Sequence, residues 1–143
     1  MCADTVRPIR VFDNRKSEIK NQKSKIMSDP RLLTEKNIWL ATVRPDGRPH
    51  LVPIWFVWVN EKVYICTEGK SVKIKNLEAN PRASVALENG TQPAIAEGMA
   101  RILQAPYPIE VLAEFKAKYE WDITTDNSYN VMVEITPAKW LKW

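Results

Sequence analysis

The stretch that decides the fold runs from Arg44 to Arg82: R-P-D-G-R-P-H-L-V-P-I-W-F-V-W-V-N-E-K-V-Y-I-C-T-E-G-K-S-V-K-I-K-N-L-E-A-N-P-R. Pro45 presets φ and Gly47 tolerates positive φ, so Arg44–Gly47 is predicted to form a tight turn. From Pro49 to Val59 apolar side chains fill both alternating sets of positions, with Leu51, Ile54, Trp55, Phe56, Val57, Trp58 and Val59 among them. A strand with one wet face would alternate, so this one needs cover on both sides. One face can fill a barrel; the other calls for a second subunit or a flat ligand. Asn60 and Glu61 turn the chain into a strand over Lys62–Thr67, which Gly69 ends. Ser71 is then placed to cap a helix reaching about Ala79, stopped by Asn80-Pro81.

Upstream of the turn, Asn37–Val43 reads as the partner strand of a hairpin. Downstream, Arg82–Leu87 and Ala94–Leu103 flank Glu88-Asn89-Gly90-Thr91, a second hairpin signal. Ala94, Ala96, Gly98 and Ala100 share one face at period two, so something must approach that face closely; the narrow inside of a barrel suits it better than a subunit contact. Pro106 and Pro108 introduce a helix to about Tyr119, with Ile109, Leu112, Ala113, Phe115 and Lys116 as its stripe. Trp121–Ser128 reads as loop, Tyr129–Thr136 as a last strand, and Pro137 as the start of a tail. Six short strands with two helices and no βαβ alternation predict a mostly β fold, an antiparallel barrel with flanking helices.

The 143 residues fit a single domain, close to the ~150-residue prior. Residues 1–36 carry nine Lys and Arg against five Asp and Glu, and residues 37–143 carry twelve of each, so the net charge of +4 belongs to the N-terminal part. Residues 1–27 therefore read as a basic arm and 28–143 as the folded domain, with Ser28 or Asp29 as a cap, Pro30 at the first helical position, and Leu32 and Leu33 as anchors of a short helix. A neutral body lacks the basic surface of a nucleic-acid-binding domain, which also weakens an RNA-binding barrel. Cys2 and Cys66 have no metal-ligand spacing and make a poor disulfide pair, predicting a reducing, cytoplasmic home. No apolar run approaches ~18 residues and no signal-peptide core is present, so no membrane partner is expected.

His50 is the only histidine, which leaves little room for a Ser-His-Asp or Cys-His pair, and its place beside a turn suggests a surface or interface role. No catalytic residue is assigned, and no metal motif is present. The start of the Ser71 helix is more informative. Free backbone N–H groups, the Ser71 hydroxyl and Lys70, Lys73 and Lys75 there would welcome an anion, although a solvated basic helix is the simpler reading of that segment alone. The adjacent apolar strand with Trp55 and Trp58 adds a surface for a planar ring system.

The ordered set D-G-R-P at Asp46–Pro49, P-I-W-F at Pro53–Phe56, T-E-G-K-S-V-K at Thr67–Lys73 and K-N-L-E-A-N-P-R at Lys75–Arg82 resembles the pyridoxamine 5'-phosphate oxidase-like superfamily. The likeness is good over about Leu32 to Ile102 and looser beyond. It implies a six-stranded split β-barrel that forms a homodimer, with FMN or a deazaflavin coenzyme at the subunit interface. It also implies site residues. Lys73 matches the family's phosphate-binding lysine, assisted by Ser71 and the neighbouring amides, including that of Val72. Cys66 and Thr67 match the strand end along the phosphate and ribityl chain, and Val52, Pro53, Ile54 and Trp55 the strand whose backbone follows the ring.

The departures narrow the activity. Val72 stands where namesake oxidases carry an arginine, Val52 and Val57 replace basic residues around the ring-contacting strand, and Lys139-Trp140-Leu141-Lys142-Trp143 replaces an arginine-bearing substrate segment. Pyridoxamine phosphate oxidation itself is thereby disfavoured. The resemblance implies an FMN-binding oxidoreductase acting on a small-molecule substrate. The alternatives are a deazaflavin-dependent reductase, with Arg48, Lys70 and Lys75 as further basic groups, and a non-catalytic flavin- or haem-binding sensor.

Overall fold

The computed structural model describes residues 29–141. The basic arm, Ser28, Lys142 and Trp143 lie outside these residues. A short helix α1 (Arg31–Thr34) leads into strands β1 (Asn37–Val43), β2 (Pro49–Trp55), β3 (Val57–Val59) and β4 (Lys62–Thr67). Helix α2 (Val72–Ala79), strands β5 (Arg82–Leu87) and β6 (Ile95–Leu103), helix α3 (Ile109–Tyr119), a 3₁₀ turn (Ile123–Thr125) and strand β7 (Val131–Leu141) complete the chain. Asp29 caps α1 by accepting from Arg31 N at 2.9 Å, while Pro30 holds the N-cap position.

All pairings are antiparallel, in the order β2-β1-β5-β6-β7-β4-β3. The strands at the two edges, β2 and β3, are consecutive stretches of one segment, so the sheet curls until a single run of chain serves both ends. The single strand expected over Pro49–Val59 is thus divided at Phe56, giving seven strands where six were expected. The break has a local cause. Phe56 N donates to the Tyr119 hydroxyl at 3.0 Å, and Phe56 O lies 2.9 Å from both that hydroxyl and Lys118 Nζ. Helix α3 thereby satisfies the backbone of Phe56, and no strand pairs with it.

The main core fills the curl, with Ile38 and Leu40 from β1, Phe56, Trp58, Val63 and Ile65, and Ile74 and Leu77 from α2. A second core lies under α3, where Val111 and Phe115 pack on Val57, Tyr64, Cys66 and Met132. β3 and β4 are consequently covered on both faces. β2 is covered on one only: Leu51 is 60% exposed and Trp55 47%. Within one chain, two-sided cover is present at Val57 and Trp58, and the outer face of β2 is the one left for a subunit or a flat ligand.

Ala94 and Ala96 are buried in the main core and Ala100 packs against it, so the small-residue face lines the inside of the barrel. Gly98 sits at a bulge opposite Pro137, where an added Cβ would collide with the carbonyl of Thr136. That irregularity lets β7 run through Pro137 to Leu141, where the sequence suggested a tail. In α3 the expected stripe is rotated: Ile109 is 78% exposed, and the buried positions are Val111 and Phe115. Among the described residues no helix is long and apolar enough to cross a membrane.

Candidate functional site

A cleft of about 830 Å³ is lined by parts of β2 and β4, the start of α2, and the segment after α3. Its size falls in the roughly 300–1,000 Å³ range of small-molecule sites. β2 contributes Pro53, Ile54 and Trp55, β4 contributes Cys66 and Thr67, and the α2 end contributes Ser71 and Lys73. Seven of the nine residues marked out from the sequence thus meet in one place. Val52 and Val72 do not line the cleft; Val72 is 45% exposed on the outside of the first turn of α2.

β2 is an edge strand, so alternate N–H and C=O groups along it are not used in the sheet and can face a ligand whatever the side chains are. At the other end of the cleft, Ser71 occupies the N-cap position of α2 with extended backbone, yet its side chain makes no capping bond. Its Oγ is buried and without a hydrogen-bond partner. A buried polar atom left open in this way is costly unless something else meets it. Lys73 is half-buried, and burial lowers its pKa while the charge of Glu68 works against that shift. Of the further basic candidates, Lys70 and Lys75 are exposed, and Arg48 is tied to Asp46 at 2.9 Å.

Much of the remaining lining is aromatic, and of these residues the sequence pointed to Trp55 but not to Tyr119, Trp121 or Tyr129. Trp55 stacks on Tyr119 with centroids 4.3 Å apart and planes 9° apart. Trp121 stands edge-on to Trp55 at 6.0 Å and to Tyr129 at 5.4 Å, and its Nε1 donates to Asp126 at 3.1 Å. Trp58 is not part of this lining; it is 9% exposed and packs in the core against Trp140. Cys66 donates to Tyr129 O at 3.4 Å, and burial pushes its thiol up to about 12, so it lines the cleft as an inert neutral group. Among the described residues no group of three or more His, Cys, Asp or Glu is placed to hold a metal ion.

His50 is not among the residues that line the cleft. It lies opposite Thr42 in the β1–β2 register, half-buried on the inward side of the hairpin, and its Nδ1 has no partner.

A curled antiparallel sheet whose edges are successive stretches of one segment, with a cleft beside that segment, defines a split barrel. The chain belongs to the pyridoxamine 5'-phosphate oxidase family, whose model matches residues 29–143. It is similar to a conserved hypothetical protein of Mycobacterium tuberculosis, with 26% identity over 92% of this chain and 87% of that one and a TM-score of 0.69. It is also similar to an F420 reductase, with 24% identity over 81% of this chain and 98% of that one and a TM-score of 0.66. The haem storage protein of Vibrio cholerae is a further structural relative, with 20% identity over 78% of this chain and 89% of that one and a TM-score of 0.67. No curated protein sequence matches the chain.

Proposed function

We propose that the protein is a homodimeric, FMN-dependent oxidoreductase that uses this cleft for its cofactor. The observation that carries the reading is the pairing of the open, buried Ser71 Oγ with Lys73 at one end of an edge strand whose backbone is free. Ser71 Oγ and the Lys73 ammonium would hold the phosphate as charge-assisted donors. The β2 backbone from Pro53 to Trp55 would follow the polar edge of the ring, and the Trp55–Tyr119 stack would keep water from it. FMN, when bound, supplies hydride transfer, so none of the chain's own groups needs to act as a general acid. The bare face of β2 supports the dimer: Leu51 and Trp55 lie on it, and Met99 of β6 is 48% exposed.

A deazaflavin coenzyme is the alternative on the same fold, favoured by similarity to an F420 reductase. A haem-binding role has only His50 as an imidazole ligand, set among basic groups. Mass spectrometry and an absorbance spectrum of the native protein, before and after adding FMN, separate these cases. FMN recovered or taken up in proportion to the chain is the expected result, followed by turnover with reduced nicotinamide and an electron acceptor. Recovery of a deazaflavin, or a haem spectrum with no FMN uptake, would overturn the FMN assignment. FMN binding without turnover would leave a flavin-binding module in place of an enzyme.

A further inference from the structure

The buried side-chain N and O atoms that lack partners among the described residues are Arg44 Nε, His50 Nδ1 and Ser71 Oγ. Arg44 and His50 do not line the cleft, but they lie within electrostatic reach of Lys73, two residues after Ser71. Arg44 and His50 lie diagonally across the β1–β2 hairpin, since Thr42 is opposite His50 and Arg44 N donates to Arg48 O at 2.9 Å. Helix α2 is fastened over the same place: Asn76 Nδ2 donates to Thr42 Oγ1 at 3.0 Å. Lys73 precedes Asn76 by three residues, which puts it on the same helix face. The charges of both Arg44 and Lys73 act on His50. Three basic side chains from three elements therefore converge.

Carboxylates do little to offset them. Glu68 is near Lys73, and Asp46 is near Arg44 but is bonded to Arg48. This corner has an excess of positive charge, and the buried Arg44 Nε and His50 Nδ1 in it lack a partner among the described residues, a setting that favours an anion.

We propose that Arg44 and His50 join Lys73 and Ser71 in a single anion subsite, and that His50 gains a proton when a phosphate group occupies it. The inference rests on the phosphate-bearing cofactor reading above and adds to it two residues and a proton. Burial first, then Arg44 and Lys73, hold the His50 imidazole below its usual value, which favours its neutral form at pH 7. A bound phosphate supplies the negative charge that reverses this balance. By linkage, the contribution of His50 to phosphate binding then grows as pH falls from 8 towards its value in the free protein.

Because His50 is the only histidine, its proton resonance can be titrated by NMR in the untagged protein without ambiguity. The probes are FMN, riboflavin and inorganic phosphate. The expected midpoint lies below 6.5 for the protein alone, rises with FMN and with inorganic phosphate, and is unmoved by riboflavin. In Arg44→Gln the midpoint of the free protein should rise, because one of the two depressing cations is gone, and FMN should bind about ten- to a hundredfold more weakly. If FMN binds in a Lys73-dependent way while the His50 curve stays put, this subsite is wrong and the cofactor reading survives. If FMN does not bind but phosphate raises the curve, the reverse holds. An equal response to riboflavin would overturn the phosphate assignment.

Discussion

The hydroxyl of Tyr119 does for Phe56 what a neighbouring strand would do, accepting from its N–H at 3.0 Å and lying 2.9 Å from its carbonyl oxygen. The same oxygen is 2.8 Å from Lys36 O, so one phenol ties the end of α3 to the entrance of β1 and to the joint between β2 and β3. Its ring forms part of the cleft wall by stacking on Trp55. The joint and the site are thus held by one residue. Tyr119→Phe keeps the stack and leaves Phe56 N–H without an acceptor, which should cost about 1–3 kcal/mol in urea unfolding. A loss within the ~0.5 kcal/mol of an ordinary surface change would show that the hydroxyl does not hold the joint.

Lys118 donates to Phe56 O at 2.9 Å and sits 3.8 Å from the centroid of the Phe56 ring. Burial pushes its ammonium down to about 8, with Glu114 opposing the shift and Lys36 adding to it. Between about 8 and the unfolded value of 10.5 the unfolded chain binds the extra proton, so this group makes stability rise with pH across that window. Chemical denaturation of the wild type and Lys118→Met at several pH values should show their difference changing in that sense. Comparing the two cancels the opposite trend from Cys66, whose thiol is raised by burial. A flat difference from pH 8 to 10.5 would mean that Lys118 titrates normally.

Lys73→Ala removes a charge-assisted bond to the proposed phosphate, worth about 1.5–3 kcal/mol, or roughly ten- to a hundredfold in affinity. Flavin fluorescence titration should show weaker binding of FMN with little change for riboflavin. Unchanged FMN affinity would remove Lys73 from the site.

Leu51 is 60% exposed on the bare side of β2. Leu51→Asp introduces a charge there without disturbing the core. The expected outcome is a shift from dimer to monomer in light scattering after size-exclusion chromatography, with the melting temperature then depending on protein concentration less than in the wild type. A variant that remains a dimer would place the subunit contact elsewhere.

Local signals were enough to read much of this fold. Strands Asn37–Val43, Lys62–Thr67 and Arg82–Leu87 and the stop of α2 at Asn80 follow from alternation, turns and Pro81. What escaped depends on distant parts of the chain. The interruption at Phe56 is imposed by Tyr119, 63 residues later, and the passage of β7 through Pro137 depends on a glycine in β6. The site divides in the same way. Trp55, Ser71 and Lys73 could be picked out of one continuous unit and Pro53, Ile54, Cys66 and Thr67 followed from the family resemblance, whereas Trp121, Asp126 and Tyr129 reach the cleft only through the packing of α3. His50 had a usable signal: it alternates with Val52 and Ile54, so the buried face of β2 carries an imidazole at its end.

Because β2 and β3 are successive parts of one segment, both margins of the sheet depend on the continuity of the backbone at Phe56. Strands β5 and β6, joined through the turn at Asn89-Gly90, are each flanked by a second neighbour, β1 for one and β7 for the other. New chain ends made by circular permutation at Asn89-Gly90 would therefore leave every strand anchored. The same operation at Phe56 would free two terminal strands at once, each attached along a single side, and would take the cleft apart with them.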